Sequence, residues 1–267
     1  MPAEIIELIA ISSAIVFAYW IALWIISLMI RDSSIGDPLY PFSMLIVAVF
    51  FFFWCDDGYQ PRQNLILALT LIWSLRLGAY IGWRNWGKED PRYARLRAHA
   101  ESLGKNYTWY SLTHVFLSLG ALSGCAIAFP LFLAQNASEP TALGTLSYIG
   151  VGFFSVGFVI EFVADIQLAR FKRDPANANK IMQEGLWSWS RHPNYFGETL
   201  IWVGIFLIAS ETPWGWLAIV SPITLLYILL GPLGIGLVER RMVKKRPEQF
   251  AEYARRTSAF IPWFPAK

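Results

Sequence analysis

"IIELIAISSAIVFAYWIALWIISLMI", residues 5–30, decides the fold. It carries one carboxylate, Glu7, and no other charge. A helix needs about 20 mostly apolar residues to cross the hydrocarbon core of a bilayer. There every backbone N–H and C=O must be bonded within the segment. The stretch therefore predicts a transmembrane helix. No basic segment precedes it, and its apolar run exceeds the roughly 7–15 residues of a signal-peptide core. A retained first helix is the expectation.

Six more apolar blocks follow, at roughly 39–55, 64–83, 108–134, 144–169, 195–210 and 213–238. The chain has 267 residues, 55% hydrophobic and only 15% charged. A soluble domain averages about 45–50% apolar and about 25% charged residues. The expectation is one all-α integral membrane domain, residues 1–267, with seven transmembrane helices. No heptads, repeats or low-complexity segments appear. Cys55 and Cys125 lack metal-type spacing, so neither a disulfide framework nor a metal site is expected.

Charge placement sets the predicted topology. Of the 22 Lys and Arg residues, 20 fall after blocks one, three, five and seven. Arg31 follows the first. Arg84, Lys88, Arg92, Arg95, Arg97 and Lys105 follow the third. Arg170, Lys172, Arg173, Lys180 and Arg191 follow the fifth. Eight more, from Arg240 to Lys267, follow the seventh. Cytoplasmic loops carry such an excess. The N-terminus is expected outside and the C-terminus in the cytoplasm. The cytoplasmic loops then lie near 84–107 and 170–194, with a basic tail over 239–267. The net charge of +3 says little by itself; no nucleic-acid partner is expected.

On this topology the polar residues share one depth. Asp37 and Tyr40 open the second helix. Arg76 and Tyr80 lie one to two turns before the cytoplasmic end of the third, and His114 about two turns into the fourth. Glu161 and Asp165 lie near the end of the fifth, Asn194 and Glu198 near the start of the sixth, and Glu239 at the end of the seventh. Intramembrane ionisable groups are costly and face a bundle interior or a wet cavity. Headgroup proximity explains Asp37 and Glu239 as well, but suits His114, Arg76 and Glu161 poorly. The expectation is a cavity open to the cytoplasm.

"GLWSWSRHPNYFGETLIW", residues 185–202, enters that layer. Pro193 suits the first turn of a helix, where no N–H is needed. The helix start then lies at Arg191–Asn194, with free N–H groups that favour an anion. Asn194 and Glu198 are spaced i, i+4 and share a face. A nucleotide grip and a structural cap with a snorkelling arginine both fit.

This stretch resembles the C-terminal motif of the steroid 5α-reductase family: a glycine-bearing turn, Ser, Pro-Asn-Tyr and Gly-Glu. "EFVADIQLARFKRD" and "FAEYARRTSAFIPWF" are similar to other segments of that family. "RNWGKEDPRYARLR", "SRHPNYFGE" and "RTSAFIPWFP" together resemble its bacterial DUF1295 branch. The resemblance covers roughly residues 60–267. Isoprenylcysteine methyltransferases carry a similar Arg-His-Pro turn. The resemblance implies a seven-helix membrane reductase, most often bacterial and so in an inner membrane. It transfers hydride from NADPH to the β-carbon of an activated C=C bond in a lipophilic substrate drawn from the bilayer lipids. It implies that Asp165, Arg170 and Arg173 line the cofactor and that Asn194, Tyr195 and Glu198 hold it; Arg191, on its residue type and place alone, can pair a phosphate or carboxylate. Tyr253 and Arg256 match tail residues near its phosphates, with Arg255 adjacent.

One departure stands out. Steroid 5α-reductases polarise the substrate carbonyl with Gln-Glu in helix 2 and Tyr in helix 3, and the second block here has no Gln-Glu. Asp37 lies at the depth of Tyr80, whereas Asp56 and Asp57 lie about 28 Å away along a helix. Hydride chemistry needs acid, acceptor and donor within contact range, so Asp37 and Tyr80 are the expected catalytic pair. Lys172, Arg173, Lys244 and Lys245 are candidates for the 2′-phosphate, and the positive-inside bias accounts for each of them as well. An S-adenosylmethionine-dependent methyltransferase, favoured by "SRHPNY" and Glu239, is the alternative enzyme. A channel or transporter is the non-enzymatic one. The substrate's identity and the oligomeric state are not legible.

Overall fold

The computed structural model describes residues 3–87, 89–232 and 234–265. Lys88 and Lys267, counted above among the cytoplasmic charges, lie outside the described residues. Apart from one isolated bridge, Ser190 to Ser258, the regular structure among the described residues is helical. The chain packs as two compact units. One runs to Gly144 and adds Ile208–Ser221; the other comprises Thr145–Leu207 and Pro222 onward.

The first unit holds α1 (Ala3–Ile30), α2 (Gly36–Trp54), α3 (Gln60–Asn85), α4 (Pro91–Ser102) and α5 (Tyr107–Asn136). In α1, Ile5, Leu8, Ser12, Val16, Trp20, Leu23 and Ser27 are buried. That three-to-four spacing is one helical stripe. The opposite face is equally apolar and exposed, with Ile6, Ile21, Ile25 and Met29 on it. Apolar residues facing outward are the mark of a lipid solvent. Gly78 of α3 meets Phe42 and the Pro38 carbonyl of α2, leaving no room for a side chain there. The middle of α5, Leu112–Leu122, winds as a π-helix, and its Gly120 sits directly on the Trp20 ring. At the start of α3, Arg62 is fully buried. Its guanidinium donates to the carbonyls of Ala134, Ala137, Glu139 and Pro140.

Short α4 was not visible as an apolar block. Its start is written in polar residues: the Asp90 side chain accepts from the Arg92 N–H at 2.8 Å, and Pro91 fills the first helical position, where its missing N–H costs nothing.

The second unit holds α6 (Thr145–Arg173), most of α7 (Pro193–Ser210) and of α8 (Val220–Leu230), then α9 (Ile235–Lys245) and α10 (Pro247–Arg256). Helices α6 and α7 approach through glycines. A Cβ at Gly197 would lie 2.6 Å from the Gly157 carbonyl oxygen, and one at Gly204 2.4 Å from that of Gly150. The pairs are spaced seven apart on each helix, so each glycine face repeats after two turns. The block read as one helix over 213–238 is broken. A short 3₁₀ turn, Gly215–Ile219, leads into α8, and α9 begins only at Ile235. Gly231 and Pro232 lie in the gap, where proline cannot continue a helix.

Six stretches among the described residues are long and apolar enough to cross a membrane. The seventh predicted span is helical as Pro193–Ser210 but is not among the six. Asn194 and Glu198 lower its mean hydropathy.

Candidate functional site

The site of the second unit is built on the glycine contact. Glu161 and Asp165 lie one turn apart on α6 and are 2% and 3% exposed. They share the face that meets α7, since a Cβ at Gly197 would touch the backbone N and Cβ of Glu161. From α7, the amide of Asn194 reaches the Asp165 carboxylate at 3.5 Å. Glu198, one turn further along, is also buried. The structure thus brings Asn194 and Asp165 together between two apolar helices, with Glu161 and Glu198 buried one turn away on each. Each carboxylate offers only acceptors and each carboxamide both donors and acceptors.

Toward its C-terminus α6 changes character. Arg170, Lys172 and Arg173 are exposed. A connection with two short 3₁₀ segments, Pro175–Asn177 and Gly185–Ser188, then returns the chain to α7. Gly185 adopts φ +59°, a left-handed conformation that favours glycine. The next N–H, of Leu186, donates to the Gln167 side chain at 3.0 Å. Trp187 is buried against Ala164 and Met182 and donates its indole N–H to the Ala164 carbonyl.

The Arg-His-Pro turn holds the tail. The Arg191 Nε lies 2.8 Å from the Glu239 carboxylate of α9. Its Nη1 donates to the carbonyls of Thr257 at 2.7 Å and Ala254 at 3.3 Å. The Ser190 hydroxyl donates to the Phe260 carbonyl. Tyr253, 1% exposed, donates its hydroxyl to the Trp187 carbonyl at 2.6 Å, and burial pushes that hydroxyl up from its usual range. His192 is 3% exposed, with Nε2 3.3 Å from Glu239. Burial is the main cause that pulls the His192 ring below its usual value, against the Glu239 charge that raises it; a carboxylate only accepts, so Nε2–H is the donor in this bond. The ring also stacks on Tyr195, centroids 5.5 Å apart.

Several predicted site residues therefore have other company. Arg191 and Tyr253 are engaged in fastening the tail. Arg256 is exposed and pairs with Glu252 at 3.4 Å. In the first unit, Asp37 opens α2 and is bound by the Arg92 guanidinium and by the Tyr93 hydroxyl at 2.7 Å. Burial, then the Asp37 charge, raises the Tyr93 hydroxyl well above its usual range. Tyr80 lies between Arg76 and Arg84, whose guanidinium carbons are 5.8 and 5.7 Å from its ring centroid. Gly78 and Gly82, which face Pro38 of α2, are each two residues from Tyr80. That is about 200° around the helix. The α3 face toward the Asp37 helix is thus not the face that carries Tyr80. His114 faces outward instead of inward, with its ring stacked on Tyr110 at 4.0 Å.

Sequence reasoning missed His192 as a member of the site and missed the glycine contact. The signal for the glycines was present: Gly150 and Gly157 in one block, Gly197 and Gly204 in another, both seven apart.

Three relatives frame these observations. An uncharacterized protein from Schizosaccharomyces pombe, C594.04c, is 29% identical over 84% of this chain and 69% of its own length. A second from that fission yeast, C7D4.09c, is 24% identical over 67% of this chain and 58% of its own. A probable O-methyltransferase, ustE, from Ustilaginoidea virens is 39% identical over 32% of each chain. The chain therefore spans less than two thirds of the last two relatives. None of the three supports the expected bacterial inner membrane. No solved structure matches. The family described as "Protein of unknown function (DUF1295)" matches residues 23–257, so the chain belongs to the DUF1295 family, within the steroid 5α-reductase-like group.

Proposed function

We propose that the chain is an NADPH-dependent membrane reductase acting on the activated C=C bond of a lipophilic enone. In this reading seven helices cross the bilayer, the N-terminus lies outside and the tail is cytoplasmic. One observation carries it: unbroken α6 turns from buried acid to exposed cation along one stripe. Glu161, Asp165, Leu168 and Lys172 follow helical spacing, with Arg173 beside the last. From Glu161 to Lys172 the rise is about 16 Å. A dinucleotide has that polarity, with hydroxyls and a carboxamide at one end and phosphates toward the other. Asp165 and Glu198 would accept from its hydroxyls and carboxamide, Asn194 would do both, and Lys172 and Arg173 would pair its phosphates. NADPH, when bound, supplies hydride for the β-carbon, and the α-carbon takes a proton. The acceptor carbonyl needs a donor where charge develops. Asp37 is held by Arg92 and Tyr93 and carries no step in this reading.

The test is a titration of the purified protein. NADPH should bind more tightly than NADH, and Arg173→Ala should narrow the gap by roughly tenfold, the worth of one charge-assisted bond. Equal affinity for the two cofactors removes the reading. The second reading, a methyltransferase, draws on the O-methyltransferase relative and on the Arg191–Glu239–His192 cluster, which needs no phosphate. Tight S-adenosylmethionine binding without nicotinamide binding would establish that alternative.

The orientation has its own test. A cysteine at Ala142 should react with a membrane-impermeant thiol reagent in intact cells. One at Lys105 should react only after permeabilisation. The reverse pattern inverts the topology.

A further inference from the structure

After α10 the chain runs back along the start of α7. Ser258 pairs with Ser190 in the isolated bridge, and the Trp263 N–H donates to the Trp189 carbonyl at 3.0 Å. Phe260 meets Phe196, in the first turn of α7, edge to face with ring centroids 5.7 Å apart. The residues beyond Phe260 present their side chains outward. Trp263 and Phe264 are 69% and 72% exposed, and Ile261 and Trp189 are exposed as well. The Trp189 and Phe264 rings lie 5.1 Å apart and those of Trp263 and Phe264 6.4 Å apart. Three large rings thus form one patch on a backbone that is itself tied down. An exposed apolar patch of this kind marks an interaction surface.

Depth identifies the partner. The turn before α7 is pinned to α6, through the Leu186 N–H on Gln167 and the Trp187 indole on the Ala164 carbonyl. Those α6 residues lie within two turns of the exposed cations Arg170, Lys172 and Arg173. There α6, one of the long apolar stretches, passes from hydrocarbon to water. Trp189 is two residues on from Trp187, so the patch stands at that boundary. Tryptophan gathers at this level because its ring is apolar and its N–H is not. The first unit marks the ends of two spans in the same way. Trp83 and Trp86 at the end of α3 and Trp109 in the first turn of α5 are all exposed. Charge agrees with depth. Residues 239–267 carry eight cations against three side-chain carboxylates, and an anionic leaflet attracts such a segment over a Debye length.

We propose that Trp189, Ile261, Trp263 and Phe264 form an interfacial anchor, seated in the headgroup layer of an anionic leaflet. The tail is then held twice, by Arg191 from within the protein and by lipid from outside. The anchor rests on the membrane reading and on no cofactor, so loss of the reductase leaves it standing.

The test is spin-label resonance on the full-length protein in nanodiscs. A nitroxide is attached at Phe264→Cys or at Ile261→Cys. Wild type, with only Cys55 and Cys125, gives the background. Collisions with oxygen, which partitions into lipid, are compared with collisions with an uncharged nickel chelate, which stays in water. Oxygen should dominate at both positions in nanodiscs containing phosphatidylglycerol. The oxygen-to-nickel ratio should fall in phosphatidylcholine alone and in high salt, which screens the attraction. Dominance of nickel in phosphatidylglycerol nanodiscs places the patch in water and overturns the anchor. Low collision rates with both reagents mean that protein covers the patch, a second copy or another chain, and overturn it equally. A ratio indifferent to lipid and salt overturns the anionic leaflet as partner. If Phe264→Cys melts early through loss of the Trp189 contact, Ile261→Cys decides.

Discussion

Gly197→Ala should abolish the cooperative melting of the second unit. The added methyl would lie 2.6 Å from the Gly157 carbonyl oxygen and 2.7 Å from the Glu161 N. Both are backbone atoms, so no rotamer change relieves the contact and the helices must separate. Overpacking costs typically about 1–3 kcal/mol and more where the backbone must move; this site belongs at the upper end. Separation would also pull Asn194 from Asp165, so nucleotide affinity should fall with stability. Gly152→Ala is the control. A Cβ there meets nothing within 4 Å, and alanine in a helix interior is favoured over glycine by about 0.5–1 kcal/mol. A Gly197→Ala protein that melts like the wild type would disprove the close approach.

Arg191→Ala should release the tail. The substitution removes an ion pair and two bonds to carbonyls at once and leaves Glu239 half-buried without its guanidinium. Breaking a buried pair from one side costs about 3–5 kcal/mol, and the partial exposure of Glu239 places this case near the lower figure. Limited proteolysis should then cut between α9 and the C-terminus at enzyme concentrations that spare the wild type. Arg191→Lys should rescue little, because an ammonium lacks the planar fork that reaches three partners. An uncut tail in Arg191→Ala would refute the latch. The same latch should respond to acid. Burial lowers the His192 pKa in the fold, so the unfolded chain binds the proton more readily. The stability from neutral His192 is complete above its unfolded value, about 6.5, and is lost as pH falls below it.

The apolar blocks were legible because membrane spans are long and compositionally extreme. The start of α7 was legible for a different reason: Pro193 fits a first turn and little else in a helix. What escaped were pairings between distant residues. Nothing in the sequence near Asp37 signals Arg92 and Tyr93, more than 50 positions on. Depth placed Asp37 beside Tyr80, but depth carries no information about which way a residue faces around its helix. The same blindness applied to His114. Arg191 was legible as a cation at a helix start, and its use there was not, because carbonyl partners leave no trace in side-chain identity. The break between α8 and α9 had its Gly and Pro in plain view, hidden only by the apolar residues around them.

Arg62 shows the opposite side of that point. It grips the last turn of α5 and the segment after it through carbonyl oxygens, those of Ala134, Ala137, Glu139 and Pro140. Every residue type presents the same carbonyl, so the grip is indifferent to spelling. It is not indifferent to arithmetic, since one inserted or deleted residue would carry an oxygen out of reach. Substitutions at Ala137 can accumulate while the number of residues between Ala134 and Pro140 is held fixed, and drift there should appear as changed letters at constant length.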